Sequence, residues 1–186
     1  MSVNIEFKND ITNAKEDTQG SDGRLNTSSR SGGRTYYNSR DKGQTYSMVW
    51  NFNTAASGEY AAYLKNTSTF KTLVISAVGL NAEVASRFQL ETVTGTASGT
   101  DISPFNLNTS APNDASCTAV EGASAGTGIT GLTIDEKIDF AQVGALGHEE
   151  FRLNDTLRLK QNQAVAINVL ETAGSDVFGV IFFYFE

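Results

Sequence analysis

Hydrophobic and polar residues alternate in short segments along most of the chain, and this pattern predicts β-strands. The segments are rich in β-branched or aromatic side chains and are separated by Gly, Asn or Ser. They are 47–53, 59–66, 71–80, 86–95, 132–140, 148–154, 156–160, 164–171 and 177–186. Strands of this length and spacing are typical of a sandwich or barrel. We therefore predict an all-β fold, an antiparallel jelly-roll sandwich over residues 45–186, with a short helical turn near 135–146.

The final segment differs from an ordinary surface strand because both of its faces are apolar. One face carries Val177, Gly179, Ile181, Phe183 and Phe185, and the other carries Phe178, Val180, Phe182 and Tyr184. Such a strand must be covered on both sides, by the protein's own core or by another subunit. We predict that the first face fills the core. We place Phe178, Phe182 and Tyr184 at a subunit interface.

Residues 1–44 are predicted to form an extended, largely irregular N-terminal arm. The stretch 18–46 has four arginines among Ser, Gly, Asn and Thr, and too few aliphatic side chains to build a core. Two interpretations remain open: a solvated linker, or an arm that orders on an acidic partner surface or a neighbouring subunit. In the second, the contacts to the partner come from Arg24, Arg30, Arg34 and Arg40.

Upstream of the arginines, a short alternation of apolar and polar residues predicts one more strand. Its apolar positions are Val3, Ile5 and Phe7. This strand adds either to the sheet of the same domain or to a sheet of a partner, and the sequence does not choose between them.

The charge of the chain argues against several classes of function. The net charge is −7 and the pI is near 4.7, whereas nucleic-acid binders need basic faces, so we expect no nucleic-acid partner. Residues 1–46 hold seven basic and six acidic residues, which leaves a charge of −8 on the rest. No apolar run reaches the roughly 18 residues of a membrane span, and no secretory signal follows Met1. We expect synthesis in a cytoplasm.

The residues that carry most catalytic chemistry are sparse. The single histidine, His148, stands at the start of an apparent strand, and we predict that it lies on a polar face or at an edge. The single cysteine, Cys117, has no metal-ligand spacing around it. Gly126, Gly128 and Gly131 match G-x-G-x-x-G, but a strand rather than a helix is predicted to follow them. We therefore expect no enzymatic activity, no cofactor and no metal.

Two stretches resemble structural proteins of tailed-bacteriophage virions, especially head decoration and head-fibre proteins. They are GTASGTDISPFNLNTSAPNDASCTA and EFRLNDTLRLKQNQAVAINVLETAGSDVFGVIFFYFE, and the resemblance covers about residues 45–186. It implies a jelly-roll domain, often trimeric, on the particle surface, with a variable N-terminal arm that docks on the shell.

Together these features predict a capsid decoration or cement protein. Its expected partners are the major capsid protein and further copies of itself, as a trimer, and its expected location is the outer surface of the virion head. The alternative is a receptor-binding or fibre-tip module that recognises a host glycan or protein through its loops. The long loop region 94–131 offers only one aromatic residue for that purpose, Phe105.

Overall fold

A computed structural model describes residues 7–8, 15–16, 39–40, 42–110, 113–123, 126–170 and 174–186. The chain divides into two units, Met1–Gly32 and Gly33–Glu186. In the first unit, β1 (Phe7–Lys8) pairs antiparallel with β2 (Lys15–Glu16). The second unit begins before residue 45, so it takes in the end of the predicted arm.

The second unit is built from β-strands in two antiparallel sheets. Its described strands are β3 (Thr45–Asn53), β4 (Glu59–Asn66), β5 (Leu73–Ala82), β6 (Ser86–Ser98), β7 (Thr100–Asp101), β8 (Phe105–Asn106), β9 (Cys117–Glu121), β10 (Thr130–Val143), β11 (Gly147–Leu159), β12 (Ala164–Val169) and β13 (Asp176–Phe185). The six-stranded sheet has the order β10-β6-β12-β4-β9-β7, and the five-stranded sheet has the order β11-β5-β13-β3-β8. The prediction of an all-β sandwich is confirmed.

Three local predictions differ from the structure. The helical turn expected near 135–146 is wrong: β10 continues to Val143 because it pairs with β6 from end to end. The two strands expected at 148–154 and 156–160 are one strand, β11, whose register shifts near Asp155, a residue with a φ of 60°. The region 94–131 also contributes β9, which pairs with β4.

The core lies between the two sheets and takes its largest side chains from β3 and β13. Tyr46 stacks on Phe183 with ring centroids 5.4 Å apart, and it meets Phe185 edge-on at 5.8 Å. Trp50 is fully buried beside Gly179 of β13. Full burial of each such aromatic side chain stabilises the fold by roughly 1.5–3 kcal/mol. Because Phe183 and Phe185 are buried here, the prediction that this face of β13 fills the core holds.

A second apolar cluster lies on the other face of the six-stranded sheet. It contains Tyr63, Val93, Val120, Ile129, Ala164 and Ala166. The sheet curls over this face. Strand β6 lies next to one edge of the sheet and β7 forms the opposite edge, yet Gly99 alone joins the two strands. A Cβ at Gly99 would lie 2.5 Å from the carbonyl oxygen of Glu121 and 2.8 Å from Val120 Cγ1, so this close passage requires glycine.

Candidate interaction surface

The outer face of the five-stranded sheet is the surface that the sequence singled out. Its central strand is β13, which lies between β5 and β3. Phe178, Val180, Phe182 and Tyr184 alternate with the core residues of β13, and they therefore point outward. Their cross-strand neighbours are mostly small: Val180 lies opposite Val49 and Gly79, and Phe182 lies opposite Ser47 and Ala77. We call Val49, Phe178, Val180 and Phe182 the outer patch.

Exposure divides the predicted interface residues. Phe178 is 46% exposed and Val49 is 69% exposed, while Phe182 is half-buried. Tyr184 is only 1% exposed, so its side chain is already covered within one chain. This corrects the sequence-based grouping: of the three residues placed at an interface, Phe178 and Phe182 have surface to offer a partner and Tyr184 does not.

A polar row borders the outer patch toward the edge strand β11. His148 is exposed and its Nδ1 lies 3.1 Å from Oδ1 of Asn81, which in turn lies opposite Phe178. The absence of a side chain at Gly79 lets Val180 and the His148 ring pack close to the backbone. A Cβ at that position would lie 3.2 Å from Val180 and 3.4 Å from the His148 ring. His148 thus lies on a strand surface, as the sequence predicted. Within the described ranges, no three His, Cys, Asp or Glu residues are grouped to hold a metal ion.

Three asparagines from the long loop region hold the chain where the predicted arm joins the sandwich. Asn106 donates from Nδ2 to the carbonyl of Gly43 at 2.9 Å, and Asn108 donates to the carbonyl of Arg40 at 2.9 Å. Asn113 reaches the carbonyl of Lys42 at 3.3 Å. We call these three residues the asparagine clamp, and the sequence analysis missed it. Its signal is three Asn side chains close together in a loop, but their partners lie about 70 residues away.

The predicted partner-contacting residues have different positions. Arg40 is half-buried, and its backbone belongs to the clamped segment. Its neighbour Ser39 is 4% exposed and donates from Oγ to the carbonyl of Phe185 at 2.8 Å. Phe7 lies in β1, whose partner β2 belongs to the same unit. Val3, Ile5, Arg24, Arg30 and Arg34 lie outside the described residues.

A buried carboxylate lies on the same face of the six-stranded sheet as the second apolar cluster, because Glu91 pairs with Ala166 of that cluster. Glu91 is 1% exposed and accepts a hydrogen bond from the Tyr60 hydroxyl at 2.8 Å and one from Asn168 Nδ2 at 3.3 Å. Burial, together with this bond to Glu91, raises the pKa of Tyr60 well above its ordinary value. The Tyr60 hydroxyl therefore stays protonated at neutral pH and continues to donate its hydrogen bond to the buried Glu91 carboxyl group.

The single cysteine has a thiol of low reactivity in this fold. Cys117 begins β9 and packs partly buried against the main core. Burial raises the pKa of its thiol to about 12, so the reactive thiolate is scarce at neutral pH. This environment fits a small core-packing residue.

Comparisons of this chain with protein-family models, with curated proteins and with solved structures find no match in any of the three. Over the part of the chain that is described, no helix has the length and apolar character needed to cross a membrane.

Proposed function

We propose that this protein is a decoration or cement protein of a bacteriophage head, attached to the outer surface of the capsid as a homo-oligomer. The outer patch is the observation that carries the proposal. A sheet face with a 46% exposed Phe178 and a 69% exposed Val49 beside the half-buried Phe182 gains stability when a second copy covers it. We expect the oligomer to be a trimer.

The order of the strands supports a jelly roll, the fold that the proposal requires. Without the short strands β7, β8 and β9, the sheets run β10-β6-β12-β4 and β11-β5-β13-β3. Every link along the chain between consecutive long strands crosses from one sheet to the other, except the link from β6 to β10. Eight antiparallel strands in two facing sheets of four are typical of jelly rolls, which include viral capsid proteins.

The base of the predicted arm supports attachment through the N-terminal region. The asparagine clamp binds the carbonyls of Arg40, Lys42 and Gly43, so these residues are held against the sandwich at a defined point. Three such segments on one trimer would bind a shell cooperatively, because each bound arm raises the effective concentration of the next.

The oligomer is tested by light scattering on the purified full-length chain and on Phe182→Lys. We expect wild type to be a trimer and Phe182→Lys to be a folded monomer, because a half-buried lysine in an apolar contact is costly. The matched control is Phe70→Lys, since Phe70 is 95% exposed in the β4–β5 connection, away from the outer patch. If Phe182→Lys keeps the mass of wild type, the outer patch is not the interface.

The location on the virion is tested by counting copies per particle and labelling the protein on particles of the phage that encodes it. Hundreds of copies on the head fit a decoration protein. A few copies at a vertex or on the tail would contradict it and favour an adsorption protein.

A receptor-binding or fibre-tip module is the second candidate, and the exposed phenylalanines outside the sheets' core favour it. Phe105 is 60% exposed in the long loop region and Phe70 is 95% exposed. Aromatic side chains of this kind anchor glycans and proteins at interfaces. Binding of the purified protein to host cells, lost in Phe70→Ser or Phe105→Ser, would favour this function over decoration.

A further inference from the structure

A cavity at one end of the five-stranded sheet combines an aromatic wall with two carboxylates. Its volume is about 300 Å³, and its lining includes Phe178, Leu146, Glu83 and Asp176. From these observations we propose that the cavity binds an arginine side chain from an extended segment of a partner protein. The proposal concerns this end of the sheet, and it requires that a second copy bound to the outer patch leaves open the part of Phe178 that lines the cavity.

Backbone hydrogen bonds fix the positions of the three chain segments that line the cavity, which are 81–83, 146–147 and 176–178. Glu83 N donates to the carbonyl of Asp176 at 2.9 Å, and Leu146 N donates to the carbonyl of Glu83 at 3.3 Å. Gly147 N closes the turn by donating to the carbonyl of Gly144 at 2.9 Å. The lining residues therefore sit on fixed backbone, and the site is formed before a ligand arrives.

The apolar walls are unusual for a free surface. Leu146 is 86% exposed and has a φ of 55°, in the left-handed region that a branched side chain rarely adopts. Phe178 is 46% exposed, and Val84 beside the cavity is 44% exposed. The fold thus holds a strained leucine in solvent next to a half-exposed aromatic ring, an arrangement that contributes little to the stability of the chain itself.

The negative charge of the cavity favours a cationic ligand. Glu83 and Asp176 are both exposed, and none of the described residues in the lining is basic. One oxygen of Asp176 accepts a hydrogen bond from Asn53 Nδ2 at 2.7 Å, which orients the carboxylate and leaves its other oxygen for a ligand.

A guanidinium group fits these walls better than an ammonium group. It forms paired hydrogen bonds with carboxylates, and its flat face stacks on an aromatic ring such as that of Phe178. Its aliphatic stem would cover Leu146, as long cationic side chains commonly cover apolar surface. A lysine would supply the charge without the stacking face or the planar fork.

The test is a titration of the isotope-labelled full-length protein with the capped peptide Gly-Ser-Arg-Ser-Gly, followed by amide chemical shifts. We expect saturable shifts at residues 81–84, 146–147 and 176–178, with a dissociation constant on the order of 1 mM. The same peptide with citrulline, which has the shape of arginine without its charge, should bind at least about fivefold more weakly because charge-assisted hydrogen bonds are the stronger ones. Equal binding of the citrulline peptide, shifts centred elsewhere, or no saturation by about 20 mM would overturn the proposal.

Two variants separate binding from folding. Glu83→Gln combined with Asp176→Asn should weaken arginine binding at least about fivefold, whereas Asp101→Asn combined with Glu136→Gln removes two charges from the other sheet and should leave binding unchanged. Leu146→Gly suits the positive φ, so it should fold at least as well as wild type while binding more weakly. If the first pair binds like wild type, or Leu146→Gly binds as tightly, the cavity is not the arginine site.

Discussion

Replacing Gly179 by alanine tests how tightly the core is packed against the central strand β13. A Cβ at this position would lie 2.4 Å from the carbonyl oxygen of Gly79 and 2.6 Å from a ring carbon of Trp50. Atoms of a real side chain stay at least about 3.0 Å away, so β13 must move by about 0.6 Å, the difference between 3.0 and 2.4 Å. It cannot move freely, because it pairs with β5 on one side and β3 on the other.

The expected cost follows from this overlap. Overpacking a dense core costs about 1–3 kcal/mol. The upper part of that range applies because the added Cβ clashes with a backbone oxygen, which cannot rotate away as a side chain can. Alanine also lowers the entropy of the unfolded chain, which returns roughly 0.4–1 kcal/mol. We expect the free energy of unfolding to fall by about 2 kcal/mol. For a unit of this size the melting temperature should drop by about 4–8 °C.

The assay is urea unfolding followed by the fluorescence of Trp50, the single tryptophan, which is fully buried against this site. The matched control is Gly144→Ala, since a Cβ there meets nothing within 4 Å. Gly144→Ala should be neutral or slightly stabilising. If both variants unfold at the same urea concentration, β13 has room at Gly179 and the packing argument fails.

Three further outcomes follow from other contacts. Native Cys117 should resist alkylation at pH 8 and react rapidly in denaturant, because burial raises its thiol pKa to about 12; rapid native reaction would contradict its burial. The thiol has a pKa of 9.0 when unfolded and about 12 when folded, so its contribution to stability should be complete below pH 9 and be lost as the pH rises toward 12. Burial also raises the pKa of Tyr60, so the loss of stability should grow above about pH 10. A flat stability profile between about pH 8 and pH 11 in calorimetry would refute this. Asn66→Ala should cost about 2–3 kcal/mol in urea unfolding, because the buried Asn66 amide donates to the carbonyls of Lys71 and Leu159 at 2.9 and 2.8 Å; a loss below about 0.5 kcal/mol would show that these bonds are replaced by water.

The sequence by itself determined the β-class of the domain and the positions of most long strands. Local alternation is enough for this, because the side-chain period of a strand is two and the residues that break strands are Gly, Asn and Ser. It also placed Ile181 and Phe183 in the core and His148 on a strand surface. The helical turn near 135–146 failed because pairing with β6 over the whole of β10 outweighs a weak local preference.

Only the tertiary structure decided which apolar residues remain for a partner. Phe178 and Tyr184 share one face of β13, yet one is 46% exposed and the other 1%, because what lies above each residue comes from distant parts of the chain. The asparagine clamp joins segments about 70 residues apart, and the cavity beside Leu146 is likewise made from three segments that are each about 30 or more residues apart. Alternation specifies which way a side chain points, and long-range packing specifies what it meets there.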